Sequence, residues 1–177
     1  MHRRSTGYSL YELLLTTALI AALLTIGLPS FGSLLARQRQ TVEINALFHA
    51  IHLARKESIM RRKVVSICPS VDGEQCLGGK NWSSGWLMFE NKDGDSPPRV
   101  DAGEPILRRH QVDRNMIVRA NRGAFTLRAT FQRATNGTFV VCERNNRVSP
   151  KGLVVSYTGR PRVALSTRSG DPYTCAD

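Results

Sequence analysis

No G-x-S-x-G, no Walker sequence and no H-E-x-x-H occurs in the 177 residues. The nucleophile elbow, phosphate-cradling loop and helical zinc pair that those strings build are missing. The chain is therefore expected to be non-enzymatic and to need no cofactor. Cysteine is sparse: Cys68, Cys76, Cys142 and Cys175 contain no C-x-x-C pair, and none lies near His49 or His52 in sequence. A zinc site is excluded by that spacing, leaving two disulfides as the expected use in an oxidising compartment. His49 and His52 have no third histidine or carboxylate beside them, so they read as surface residues of a helix rather than metal ligands. The turn-rich segment "ENKDGDSPPRVDAGEP" holds Asp93, Asp95 and Asp101 but lacks the D-x-D-G spacing of a calcium loop. A solvated loop is expected there, and no metal.

Acidic residues are also in deficit. Asp and Glu number 14 against 25 Lys and Arg, a net charge of +11, and 20 of the basic residues are arginine. Arginine's planar fork suits phosphate, so the bias points to a polyanionic partner, with a merely solvated basic surface as the plainer alternative.

Charge is absent altogether over the 24 residues from Leu13 to Ala36. About 20 apolar residues cross a bilayer as a helix, so a membrane span is expected. No A-x-A-like signal-peptidase site closes the run. Arg3 and Arg4 should stay cytoplasmic, which exports the remainder to the compartment where disulfides persist.

A basic leader, Gly7, a carboxylate at Glu12 five positions later and Pro29 at the twenty-second position after the glycine resemble the class III signal of type IV prepilins. The resemblance implies a leader of residues 1–7, cut by a prepilin peptidase between Gly7 and Tyr8, and N-methylation of Tyr8, where the family usually has Phe. Residues 8–36 would form a transmembrane and filament-core helix, bent near Pro29. A carboxylate in hydrocarbon is costly unless paired, and the implied partner of Glu12 is the α-amino group of a neighbouring pilin subunit, which sets axial register.

Beyond the apolar run, Ile44, Leu47, Phe48, Ile51 and Ala54, then Ser58 and Ile59, follow helical spacing, so a helix is expected to continue to about residue 62 with one face on a domain. Strand-like runs follow: "KVVSICP", "GWLMFEN", "EPILRRH", "NMIVRA", "AFTLRATF", "TFVVCER", "GLVVSY" and "RPRVALS". Asn136-Gly137 between two such runs predicts a type I′ hairpin. Cys68 and Cys76 would close one turn-rich loop. Cys142 and Cys175, with 32 residues between them, would pin the C-terminal tail beside a strand.

The segments 54–76, 82–91 and 152–163 resemble the FimT/GspH family of minor pilins and pseudopilins. The implied fold is α+β, the type IV pilin fold: a long N-terminal helix packed on a β-rich periplasmic headpiece of two antiparallel sheets, spanning residues 37–177. The implied location is the bacterial inner membrane, then the pilus. DNA-binding FimT proteins carry a C-terminal Gly-Arg-x-Arg stretch, matched here by Gly159, Arg160, Pro161 and Arg162. From Arg144 to Arg168 the basic residues are Arg144, Arg147, Lys151, Arg160, Arg162 and Arg168, with no acidic one among them. Those six are the candidate DNA-binding residues. With only Tyr157 and Tyr173 close by for stacking, backbone-directed, sequence-independent contact is expected, supporting DNA uptake in natural transformation. The alternative is a GspH-like minor pseudopilin of a type II secretion system that binds no DNA.

Overall fold

The computed structural model describes residues 7–129 and 133–175, apart from the side chains of 26–30. The expected leader up to Thr6 and any bend at Pro29 lie outside the described residues. Helix α1 runs over Leu10–Arg61. It begins at a capping box: the Ser9 hydroxyl accepts from the Glu12 N–H at 3.2 Å, and Glu12 Oε2 accepts from the Ser9 N–H at 3.2 Å. The S-x-x-E spacing thereby satisfies two of the amides that a helix start leaves unpaired. At the other end Arg61 pairs with Glu57 one turn back at 2.6 Å, and Arg62, at φ 54°, turns the chain out of the helix as a left-handed cap does.

Two compact units divide the chain, Met1–Leu35 and Ala36–Asp177. In the first, Leu10, Leu13, Leu14, Leu19 and Leu23 are exposed along α1. Among the described residues no helix is long and apolar enough to cross a membrane. The expected span at 8–36 includes residues 26–30, whose side chains lie outside the described ones.

In the second unit the strands are β1 (Val64–Pro69), β2 (Trp86–Asn91), β3 (Ile106–His110), β4 (Met116–Ala120), β5 (Phe125–Leu127), β6 (Gly137–Glu143), β7 (Lys151–Val155) and β8 (Pro161–Ala164). They form two four-stranded sheets, ordered β3-β2-β1-β5 and β4-β6-β7-β8, and every pairing is antiparallel. Ile44, Leu47, Ile51 and Ala54 of α1 share one core with Trp82, Phe125 and Phe139. Burying a side chain such as Leu47 or Ile51 contributes about 1.5–3 kcal/mol. Ile59, expected on the core face, is instead exposed, while Glu43 and Gln40 are buried.

The polar residues on that face tie α1 to the strands. Gln40 Nε2 donates to the carbonyls of Val141 and Ser149 at 3.0 and 2.9 Å. The Glu43 carboxylate meets His110 Nε2 at 2.8 Å and accepts from the Asp113 N–H at 3.0 Å, with the His110 ring stacked on Trp86 at 5.0 Å. Hydrogen bonds from the Asn115 backbone N–H and then its side-chain amide, with the nearby Arg39 and Arg114 guanidiniums, hold the Asp113 carboxyl below the ordinary carboxylate range despite partial desolvation.

The Asn136-Gly137 hairpin does not form. β5 belongs to the first sheet and β6 to the second, and Gly137 is not among the glycines at positive φ. Its role is close approach: a Cβ there would lie 2.5 Å from Asn121 Oδ1 and 3.0 Å from the Phe125 ring. Both expected disulfides are present, Cys68–Cys76 and Cys142–Cys175.

Candidate nucleic-acid interface

Strand parity sorts the residues of the second sheet into two faces, because successive side chains alternate. Leu153 and Val155 of β7 and Phe139 and Val141 of β6 are fully or almost fully buried in the core. The intervening Val154, Thr138 and Val140 therefore face outward, and so does Arg162, which pairs with Val154 across β7–β8. Arg119 joins them through its pairing with Val140 across β4–β6.

The hairpin between β7 and β8 carries the Gly-Arg-Pro-Arg stretch. Ser156 organises it: its N–H donates to the Arg160 carbonyl at 3.1 Å, its carbonyl accepts from the Gly159 N–H at 2.9 Å, and its hydroxyl accepts from the Arg160 N–H at 3.2 Å. Gly159 adopts φ +70° and is buried, and a Cβ there would sit 2.8 Å from Leu127 and 3.4 Å from the Arg55 side chain. Glycine is required twice over, by conformation and by space. Pro161 is buried opposite Val155, whereas Arg160 and Arg162 are exposed. The motif thus plants its small residues in the protein and leaves its guanidiniums outside. Arg133, which sequence reasoning passed over, stands 5.6 Å above the exposed Tyr157 ring of the same hairpin. That geometry is a cation–π contact.

After β8 the chain reverses in a tight turn, in which the Thr167 N–H donates to the Asp171 carbonyl at 2.8 Å, and the tail returns over the outer face. Tyr173 lies on Gly152 so closely that a Cβ at 152 would be 2.3 Å from the ring. Cys175 then bonds to Cys142 of β6. Between tail and sheet lies a cleft of about 750 Å³ whose lining includes Lys80, Arg119, Arg162 and Arg168 and, among the described residues, no acidic one. The Lys80 segment is held beside β4 by the Ala120 N–H, which donates to the Lys80 carbonyl at 2.9 Å, and by a bridge from Asn81 to Arg119.

The six candidate residues therefore fall into three places. Arg160 stands at the β7–β8 hairpin, and Arg162 and Arg168 line the cleft. Arg144, Arg147 and Lys151 sit at the opposite end of β7, roughly 14 Å away at about 3.4 Å per residue. There the buried Glu143 carboxylate accepts from the N–H groups of Asn145 and Arg147 at 2.9 and 3.0 Å, and Arg144 Nε donates to the Arg114 carbonyl at 3.1 Å. That corner is occupied by turn-building contacts. Lys80 and Arg119 escaped sequence reasoning because β-pairing brings them to the site from about 40–80 positions upstream of Arg160 and Arg162.

Elsewhere, Asp93, Asp95 and Asp101 each place a carboxylate oxygen within 4.8 Å of the others. Asp95 is engaged within its own loop, accepting from Asn91 Nδ2 at 3.0 Å and the Arg99 N–H at 3.0 Å. His49 and His52 are exposed on α1 and flank Phe48, with ring centroids 5.8 and 4.7 Å from it.

Residues 43–159 match the family described as type II transport protein GspH. The chain belongs to this family. The matched stretch of this GspH-family chain ends at Gly159, so Arg160, Arg162, Arg168 and the disulfide-bonded tail lie past it. The fold is that of a type IV pilin-like protein. It is similar to a crystal structure of the type IV minor pilin FimU of Pseudomonas aeruginosa, at 22% identity over 78% of this chain and 99% of that one, with a TM-score of 0.51. The minor pseudopilin EpsH of the Vibrio cholerae type 2 secretion system is similar too, at 9% identity over 71% of this chain and 96% of that one, TM-score 0.51. No curated protein matches the chain.

Proposed function

We propose that the protein is a non-enzymatic minor type IV pilin that takes part in pilus assembly through its N-terminal helix and contacts DNA without sequence preference, supporting DNA uptake in natural transformation. The carrying observation is the hairpin geometry. Gly159 and Pro161 are sunk in the protein while Arg160 and Arg162 are held exposed, beside Arg133 on Tyr157 and a cleft lined with cations. Such a surface meets a phosphate backbone, and little on it matches the groove-filling elements that base readout needs.

Leader removal between Gly7 and Tyr8 by a prepilin peptidase belongs to the same reading, as does an inner-membrane stage with the second unit in the periplasm, where Cys68–Cys76 and Cys142–Cys175 persist. Glu12 would then exchange its capping contact with the Ser9 N–H for the α-amino group of a neighbouring subunit.

A mobility-shift titration of the full chain in detergent against duplexes of unrelated sequence tests the DNA contact. Comparable binding of all duplexes, lost on Arg160→Ala with Arg162→Ala, is expected. No binding at low salt would leave the second reading, a GspH-like pseudopilin of a type II secretion system, which the matching family's description favours.

A further inference from the structure

The cleft under the C-terminal tail has a size and a lining that the hairpin arginines alone do not explain. Its cations come from separate parts of the chain: Lys80 from a loop, Arg119 from β4, Arg162 from β8 and Arg168 from the tail. Lys80, Arg162 and Arg168 are exposed. Its floor includes the apolar Val140 and Val154, and Tyr173 stands at its wall.

A volume of about 750 Å³ is that of a small-molecule site, which typically holds roughly 300–1,000 Å³. A double helix, whose major groove alone is about 12 Å wide, does not enter such a space and meets only the rim, where the exposed Arg160 and Arg162 stand. A single strand enters. Sites for single-stranded nucleic acid combine a cationic track for the phosphates with apolar or aromatic surfaces for the base faces, and the lining of the cleft includes both. The tail that walls it is fixed by Tyr173 on Gly152 and by the Cys142–Cys175 bond, so the shape exists before a ligand arrives and less ordering is lost on binding.

We infer that this cleft receives a short stretch of single-stranded DNA, with phosphates against Lys80, Arg162 and Arg168 and bases over Val140, Val154 and the Tyr173 wall. The inference rests on the DNA-contact reading above and adds to it a preferred form of DNA. Arg160 and the hairpin would touch either form, whereas the cleft discriminates between them.

Fluorescence anisotropy on the full chain in detergent tests this with a labelled 12-nucleotide oligo-dT and a blunt 12-base-pair duplex. Lys80→Ala with Arg168→Ala is expected to weaken oligo-dT binding roughly tenfold or more, as loss of phosphate contacts does, and to change duplex binding less than about threefold. The charge-preserving Lys80→Arg with Arg168→Lys should keep most of the oligo-dT affinity. Both positions are exposed, so an unchanged unfolding midpoint will show that the variants fold. Equal losses for both DNA forms, or no loss for oligo-dT, would overturn the inference and leave the DNA-contact reading standing. Failure of the unsubstituted chain to bind either form at low salt would sink both.

Discussion

Gly159→Ala is the perturbation that the hairpin geometry resolves most sharply. At φ +70° an L-residue carries the left-handed penalty of about 1–2 kcal/mol, of which roughly 0.5–1 kcal/mol is returned because alanine has less freedom to lose on folding than glycine. The new methyl also lies 2.8 Å from Leu127 Cδ1, 3.4 Å from Arg55 Cδ and 3.5 Å from Ala134 Cβ. Leu127 is fully buried, so it yields only by disturbing the core, and overpacking of that kind costs about 1–3 kcal/mol. The expected loss is therefore about 1.5–4 kcal/mol, read as a lower urea midpoint at unchanged slope. Leu127→Ala removes the clash but not the backbone strain, so the double variant should show a favourable coupling of about 1–2 kcal/mol. A loss below about 0.5 kcal/mol, the range of ordinary surface changes, or no coupling to Leu127, would refute the argument that space and conformation together demand glycine.

Other perturbations reach the rest of the molecule. Glu43→Ala strips the partner from His110 and from the Asp113 N–H, and two part-buried groups left unsatisfied should cost about 2–4 kcal/mol in urea unfolding. Cys142→Ser with Cys175→Ser releases a cross-link between positions 33 apart, worth about 3–4 kcal/mol in the chain-entropy model; reductant should reproduce the loss in the unsubstituted protein and change the variant only through Cys68–Cys76. Asp113 has a depressed folded-state pKa, so its contribution is complete above its unfolded value near pH 4 and fades as pH falls through the folded value. In Asp113→Asn, stability at neutral pH should be lower and its decline below about pH 4 shallower than in the unsubstituted chain.

How far the sequence foretold this molecule depends on whether the signal was local. The helix and every strand segment were legible because period 3.6 and β-branched runs are local patterns, and the expected pairings Cys68–Cys76 and Cys142–Cys175 are the ones that form. The Asn136-Gly137 hairpin failed because its flanking strands join different sheets, and tight packing against Asn121 and Phe125 selected the glycine in place of turn geometry. Glu43 and Gln40 broke the apolar pattern of α1 yet are buried, since their partners come from strands and loops about 70–110 positions away. The Ser9–Glu12 capping box, by contrast, is a local signal, legible as S-x-x-E, and it turns Glu12 back onto the start of its own helix. At the candidate site, the run from Arg144 to Arg168 gave the correct sign of charge but not its grouping. An antiparallel strand carries Arg144 and Arg160 to opposite ends, register brings Arg119 to the side of Arg162, and a loop pinned to β4 brings Lys80 there.

The central claim is that Arg160 and Arg162 meet DNA phosphates, and the salt dependence of binding tests it most directly. The full chain in detergent, titrated with duplex DNA from low to moderate salt, should show log K falling linearly with log salt, and Arg160→Ala with Arg162→Ala should reduce that slope by about 2, one phosphate for each arginine lost. An unchanged slope in the double variant, or no DNA binding by the unsubstituted chain at the lowest salt, would contradict the account.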